Sequence, residues 1–205
     1  MADKILMNKN TLAALKLELK EYHTALPVFE MKEQKLKEVV QTTENNIVRL
    51  KQAITATNEE TRPWAAVMAE ETIDLSEMVK VDHVSTNKRE IAGVTINVFE
   101  DMVFEDMEVD FLNTPLWMDA ALEAIQEQKT NRTLVEIEER NLERLWEELA
   151  EARRMKNALK EVFIPETQEN IRKIEIYLGD VERLAIGCAK LVKKKKEEKK
   201  ASAWS

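Results

Sequence analysis

The chain has 205 residues, and its 3 glycines and 4 prolines leave few turns for a fold rich in β-sheet. Charged residues make up 34% of the sequence and aromatic residues 5%, a composition typical of long exposed helices rather than of a compact globule. The net charge of −8 is uneven: residues 59–110 hold 14 acidic and 4 basic side chains, which argues against a nucleic-acid surface there. One cysteine excludes an internal disulfide, and the lack of an apolar run of about 20 residues predicts a cytoplasmic protein without direct membrane insertion.

The first predicted element is a helix from about Thr11 to Asn58, roughly 70 Å long at 1.5 Å per residue. Steps of three and four residues from Leu12 meet apolar side chains at 11 of 14 positions, the pattern of a coiled-coil seam. Asn8 or Asn10 is suited to cap its start. The predicted seam residues of this helix are Leu12, Leu15, Leu19, Leu26, Phe29, Leu36, Ile47, Leu50 and Ile54.

Residues 59–113 form a central insert, in which a short helix precedes a β-hairpin. The segments VKVDHVS and VTINVFE each alternate apolar and polar residues, as strands do. Residues Asn87–Gly93 separate them, and Gly93 is the predicted turn residue. Because an isolated hairpin is only marginally stable in water, we expect it to pack against the helices or a partner.

A second long helix is predicted from Thr114 to Val192, since Thr114 suits the N-cap and Pro115 the first helical position. Its predicted seam residues are Leu142, Leu145, Leu149, Leu159, Phe163, Ile174, Tyr177, Val181, Leu184 and Cys188. The spacing changes phase between Phe163 and Ile174. Pro165 lies in this interval and predicts a kink, because proline cannot donate the helical backbone hydrogen bond.

Gly179 and Gly187 remove side-chain bulk from the end of the second helix, where the apolar stripe is also wider than a two-helix pairing needs. Two interpretations remain open: a thicker internal core, or contact with a further subunit.

These elements predict a mainly α fold, a long antiparallel two-helix coiled coil with a small central insert containing the β-hairpin. Residues 1–58 and 114–192 supply the two helices, residues 59–113 the insert and residues 193–205 a basic tail. We expect Cys188 to lie opposite Leu12 in the antiparallel pair.

The sequence contains no recognisable catalytic constellation. Its three glycines are too far apart for a phosphate-binding loop, and His23 and His83 have no cysteine or histidine at metal-ligand spacing. Glutamate and arginine three or four residues apart are typical of exposed helices. We therefore predict no catalytic, cofactor-binding or metal-binding residues.

Four segments together resemble the D subunit of bacterial V-type (A/V-type) rotary ATPases. They are MNKNTLAALKLELKEYHTALPVFEMKEQKL, IAGVTINVFEDMVFED, TPLWMDAALEAI and IPETQENIRKIEIYLGD, in this order along the chain. The last segment, which a lysine-rich end follows, is the most specific of the four.

The resemblance implies a non-catalytic central-stalk rotor subunit with no cofactor of its own. It would couple ATP hydrolysis or synthesis in a hexamer of A and B subunits to proton or other ion transport through a membrane ring. The resemblance also implies contacts with the F subunit of the stalk and with the C subunit that leads to the ring. It implies a cytoplasmic position as a peripheral part of a membrane-bound complex. The alternative is a non-enzymatic coiled-coil scaffold or a holdase-like adaptor.

Overall fold

The computed structural model describes residues 6–68, 79–105 and 117–202. Its elements are helix α1 (Lys9–Met68), strands β1 (Val81–Ile91) and β2 (Val94–Phe104), helix α2 (Met118–Ala158), a π-helical turn (Leu159–Phe163) and helix α3 (Ile164–Ser202). They confirm the mainly α fold with a hairpin insert. The chain divides into two compact units, one made of Met1–Met31 with Arg153–Ser205 and one made of Lys32–Ala152.

The ends of the helices differ from the expected boundaries. Asn8 caps α1, because its Oδ1 accepts a hydrogen bond from the Thr11 N–H at 2.7 Å. The helix then continues past Asn58 to Met68. The helical segment that was predicted at the start of the insert therefore belongs to the last turns of α1. α3 likewise extends into the predicted basic tail as far as Ser202, since lysine and glutamate are good helix formers. The predicted start at Thr114 lies outside the described residues.

In the first unit, α1 and α3 run antiparallel. Lys9 pairs with Glu182 at 3.8 Å and Lys16 with Glu175 at 2.6 Å, so residue numbers fall along α3 as they rise along α1. The predicted pairing of Leu12 with Cys188 is wrong by about two and a half helical turns. Cys188 lies beyond the point where α1 begins and is exposed.

Between α2 and α3 the helix takes one π-helical turn. The Ile164 N–H bonds to the Leu159 carbonyl, five residues back instead of four. The buried positions here are Leu159, Ile164, Thr167, Ile171 and Ile174. Their first step is five residues and the later ones are three or four, so the π-helical turn accommodates one extra residue without moving the buried face.

This turn accounts for the change of phase in the sequence pattern. Phe163 was expected on the seam, but the extra residue brings Ile164 there and leaves Phe163 39% exposed. The Phe163 ring stacks on Tyr22 of α1 with centroids 5.7 Å apart. Pro165 follows directly, and its ring crowds the carbonyl four residues before it, which favours a loosened turn. The kink predicted at Pro165 stays a prediction, for which the turn supplies a physical cause.

In the second unit, α1 and α2 also run antiparallel and share a core with the hairpin. Ion pairs join Lys32 to Glu148 at 3.0 Å and Lys51 to Glu139 at 2.7 Å. The core cluster consists of Leu36, Val40, Val94, Leu145, Leu149 and Ala152, with Val39, Ala92, Ile96 and Leu142 packed against it. The hairpin therefore packs against the two helices, and its tip contributes to their core.

The hairpin has two strands of 11 residues joined by Ala92 and Gly93. Both turn residues have positive φ, 53° and 83°, as the two central positions of a type I′ turn require. Gly93 therefore occupies the predicted turn. The expected loop from Asn87 is wrong, because residues up to Ile91 continue β1 in register with β2.

Leu149 tests the helix-to-helix core of the second unit. Its side chain is 1% exposed, so Leu149→Asp would bury a carboxylate without a partner and cost at least about 3 kcal/mol. We expect a clearly lower melting temperature by circular dichroism. Leu184→Asp is the matched control, because Leu184 is 69% exposed and should tolerate the same change. Equal melting of the two variants would contradict the assignment of the core.

Single-residue deletions test the π-helical turn. Deleting the exposed Lys160 shortens the five-residue step from Leu159 to four, which an ordinary α-helix accommodates on one face. We expect a melting temperature equal to or above that of the parent chain. Deleting the exposed Glu147 instead turns the residues that follow by about 100° about the helix axis. That deletion should lower the melting temperature, and an equal loss for both would show that the turn does not accommodate an extra residue.

Candidate functional site

The candidate functional features among the described residues are exposed apolar surfaces on the helices. Within these residues, no group of three or more His, Cys, Asp or Glu side chains is placed to hold a metal ion. His23, His83 and Cys188 are each exposed. No helix in the described ranges combines the length and the apolar character needed to cross a membrane.

The predicted seam residues fall into three groups by exposure. Leu36, Ile47, Leu145, Leu149, Leu159 and Ile174 are buried. Leu12, Leu15, Leu19, Leu26, Phe29, Leu50, Ile54 and Leu142 are half-buried. Phe163, Tyr177, Val181, Leu184 and Cys188 are exposed. Among the predicted seam residues, those as far as Ile174 are thus at least half-buried, except Phe163, and those after Ile174 are exposed.

Polar residues on the α1 seam are accommodated within the helix. Glu33, Thr43 and Thr57 are as buried as their apolar neighbours. Glu33 pairs with Lys37 one turn along at 2.6 Å, and the Thr57 hydroxyl donates to the Ala53 carbonyl at 3.1 Å. These local partners offset the cost of burying polar atoms.

The distal stripe, which we define as Tyr177, Val181, Leu184, Cys188 and Leu191, follows one face of α3. Steps of four and three residues separate its members, and Leu184 and Leu191 are 69% and 61% exposed. For Leu184, Cys188 and Leu191 the exposure has a simple cause, because α1 begins at Lys9 opposite Glu182 and no described helix faces α3 beyond that pair. A contiguous apolar stripe of this kind is typical of a surface that a partner covers.

Gly179 and Gly187 have open space around them. No atom lies within 4 Å of the position that a Cβ would take at either glycine. Of the two interpretations of these glycines, a thicker internal core is therefore not what the described residues form. Contact with a further subunit stays a prediction.

A second exposed apolar patch lies on α1. Leu17, Val28 and Met31 are 60%, 55% and 63% exposed. Together with Ala25 and Phe29, the first two line a shallow groove on the helix surface. Scattered apolar side chains are normal on a protein surface, but neighbours on one helix face favour a contact site.

The groove between α1 and the hairpin contains a perturbed carboxylate. Glu138 of α2 lines it together with Val39, Ile96 and Val98. Burial raises the pKa of Glu138, and a hydrogen bond with Asn141 partly opposes that rise in the pKa. The buried Asn141 was not predicted, because a single asparagine in a helix rich in Glu and Arg leaves no pattern in the sequence.

Comparison with known proteins places this architecture in a family. A family model that describes the D subunit of ATP synthase matches residues 11–194, which includes nearly all of α1, both strands, α2 and most of α3. The chain belongs to the ATP synthase D-subunit family.

Individual D subunits match over nearly the whole chain. The V-type ATP synthase D subunit of Borreliella burgdorferi is 30% identical over 192 residues, covering 93% of this chain and 94% of that protein. The V-type ATP synthase D subunit of Chlamydia trachomatis serovar L2 is 29% identical over 206 residues, covering 98% and 100%. That of Chlamydia muridarum is 27% identical over 206 residues. The distal stripe up to Leu191 lies inside the region that the family model matches.

Glu138 gives a pH-dependent prediction for this member of the D-subunit family. Its pKa is raised in the folded state. The free energy of unfolding therefore falls as the pH rises from the unfolded-state pKa through the folded-state pKa, because the buried carboxyl group becomes charged. Glu138→Gln keeps a hydrogen-bonding side chain without the charge. We expect the variant to melt above the parent chain at pH 7 and to converge with it near pH 4, as measured by circular dichroism.

The exposed Glu143 provides the control for this comparison, because Glu143→Gln removes the same charge at the helix surface. It should produce no comparable gain at pH 7. If Glu138→Gln melted lower at pH 7 than at pH 4, relative to the parent chain, the sign of the pKa shift would be wrong.

Proposed function

We propose that this chain is the central-stalk, rotor subunit of a V-type rotary ATPase or ATP synthase. It couples ATP hydrolysis or synthesis in a hexamer of A and B subunits to ion translocation through the membrane ring by rotation. The observation that supports this function is the family match over residues 11–194, together with relatives named as V-type ATP synthase D subunits at 93–98% coverage of the chain.

The role proposed for the chain is mechanical, and it is not itself catalytic. A rotor must resist twisting, and in each unit two antiparallel helices bury apolar side chains against each other, such as Leu145 and Leu149 or Ile171 and Ile174. Close packing of this kind strongly resists deformation. Nucleotide chemistry then belongs to the A and B subunits, which the rotor contacts in turn.

The distal stripe is the part of α3 that we propose to lie inside the hexamer. Its apolar side chains share the helix with exposed charges, including Arg183 and Lys190. A rotor that is apolar on one face and charged on others presents a different surface to each of three catalytic interfaces. Turning it would therefore change the three interfaces in sequence, which is the physical requirement for coupling.

The remaining partners belong to the same proposal. The F subunit binds along the stalk, and the C subunit joins the stalk to the membrane ring. The exposed patch of Leu17, Val28 and Met31 and the outer surface of the hairpin are surfaces that these contacts or the hexamer would cover. The chain would be a cytoplasmic, peripheral part of the membrane-bound complex.

Truncation within α3 tests the proposed function. The complex is reconstituted in vesicles with the full chain, without it, or with a chain that lacks Val181–Ser205, and ATP hydrolysis and ion transport are measured together. We expect no transport without the chain and several-fold less transport per ATP with the truncated chain. Normal transport per ATP without the chain would contradict the rotor function.

Point variants separate the distal stripe from the length of the helix. Leu184→Asp with Leu191→Asp places two charges on the stripe, whereas Ile186→Asp with Ala189→Asp places two on the opposite side of the same helix. All four side chains are exposed, so neither pair should change the melting of the isolated chain. The stripe pair should reduce transport per ATP more than the control pair.

The isolated chain should neither bind nor hydrolyse ATP. The alternative function, a scaffold or holdase, would require no hexamer of A and B subunits.

A further inference from the structure

Asn141 of α2 makes an unusual contact with the hairpin. Its side chain is 2% exposed. The Oδ1 atom accepts a hydrogen bond from the Asn97 N–H at 3.0 Å, and the Nδ2 atom donates one to the Asn97 carbonyl at 2.7 Å. One side-chain amide thus satisfies both backbone polar groups of one strand residue.

These two bonds occupy the outer edge of β2. Asn97 lies opposite Lys88 of β1. In an antiparallel ladder the N–H and C=O of one residue point to the same side, so those of Asn97 point away from β1. The Asn141 amide presents to this edge one donor and one acceptor, the pair of groups that the backbone of a third strand would present.

The other contacts of the hairpin are of a different kind. Val94 and Ile96 pack near the tip against the core shared by α1 and α2. Near the base, the Thr130 hydroxyl approaches the Met102 sulfur at 3.6 Å, and the Lys129 ammonium group donates to the Val79 carbonyl. Apolar packing and a flexible lysine impose little directional preference. Two directional hydrogen bonds from one buried amide to one residue specify a single alignment of the strand with the helix.

We propose that Asn141 is a positioning residue that fixes the register of the hairpin along α2, so that the hairpin turns as one piece with the helices. This inference rests on the proposed rotor function for its consequence, but its structural part does not. Loss of Asn141 would leave the N–H and C=O of Asn97 unsatisfied at a partly buried edge, where such groups are costly.

Hydrogen exchange of the isolated chain tests the structural part. Asn141→Leu removes the donor and the acceptor, so the amide of Asn97 should exchange about tenfold faster or more, and amides near it in β2 should follow. Asn157→Leu makes the same change at an exposed position of the same helix and should leave the hairpin unchanged. Unchanged exchange at Asn97 in Asn141→Leu would overturn the proposal.

Asn141→Asp adds a test that general destabilisation cannot imitate. Its ionised carboxylate accepts from the Asn97 N–H but cannot donate to the Asn97 carbonyl, whereas the protonated acid can do both. After correction for the intrinsic effect of pH on exchange, protection of the hairpin should recover as the pH falls. Glu138 titrates nearby, and Asn141→Leu, which retains Glu138, measures that contribution separately. Equal pH dependence in the two variants would contradict the assigned hydrogen bonds.

Transport per ATP tests the functional part in the reconstituted complex. We expect Asn141→Leu to assemble and to hydrolyse ATP but to transport fewer ions per ATP than the parent and Asn157→Leu complexes. An unchanged ratio alongside faster hairpin exchange would overturn the role of Asn141 in coupling. If transport did not require the chain at all, the proposed function would fail, and the exchange result would still decide whether Asn141 holds the hairpin.

Discussion

Burial of apolar side chains between α1 and an antiparallel helix is the interaction on which the rest of the structure depends. Neither helix could remain exposed along its whole apolar face in water. Ion pairs between the helices such as Lys16–Glu175 and Lys51–Glu139 lie at exposed positions and contribute little to stability. They are consistent with the helix direction, while residues such as Leu36, Leu149 and Ile174 supply the free energy.

The hairpin illustrates the same dependence on the helices. Two strands alone do not form a stable sheet in water. Here the tip, at Ala92 and Val94, packs in the helix core, and the Asn141 side chain bonds to the backbone N–H and C=O of Asn97 on the outer edge of β2. The type I′ turn at Ala92 and Gly93 makes the tip narrow enough to approach the helices while preserving the register of the strands.

Sequence patterns predicted the parts of this fold that follow local rules. Three-and-four spacing identified the buried Leu36, Leu145 and Leu149, and a glycine between alternating segments identified the turn at Gly93. The π-helical turn was not predicted, because three-and-four spacing assumes one constant helical period. The pattern therefore indicated Phe163 as a seam residue, whereas the structure buries Ile164. The spacing also could not reveal that α1 begins opposite Glu182, which leaves Leu184 and Cys188 exposed. Asn141 escaped because its partner is backbone 44 residues away.

Two successive apolar stretches of α3 have different roles, although both show the same three-and-four spacing in the sequence. Ile171 and Ile174 are covered within the chain and stabilise its fold, whereas Leu184 and Leu191 add nothing to the fold until something else covers them. Exposed leucines at helical spacing do not stabilise the isolated chain, because their apolar surface remains in contact with water. The assembly proposed above would cover the distal stripe. In a rotor, that uncovered end is also where a change of surface with rotation angle would be felt by the surrounding subunits.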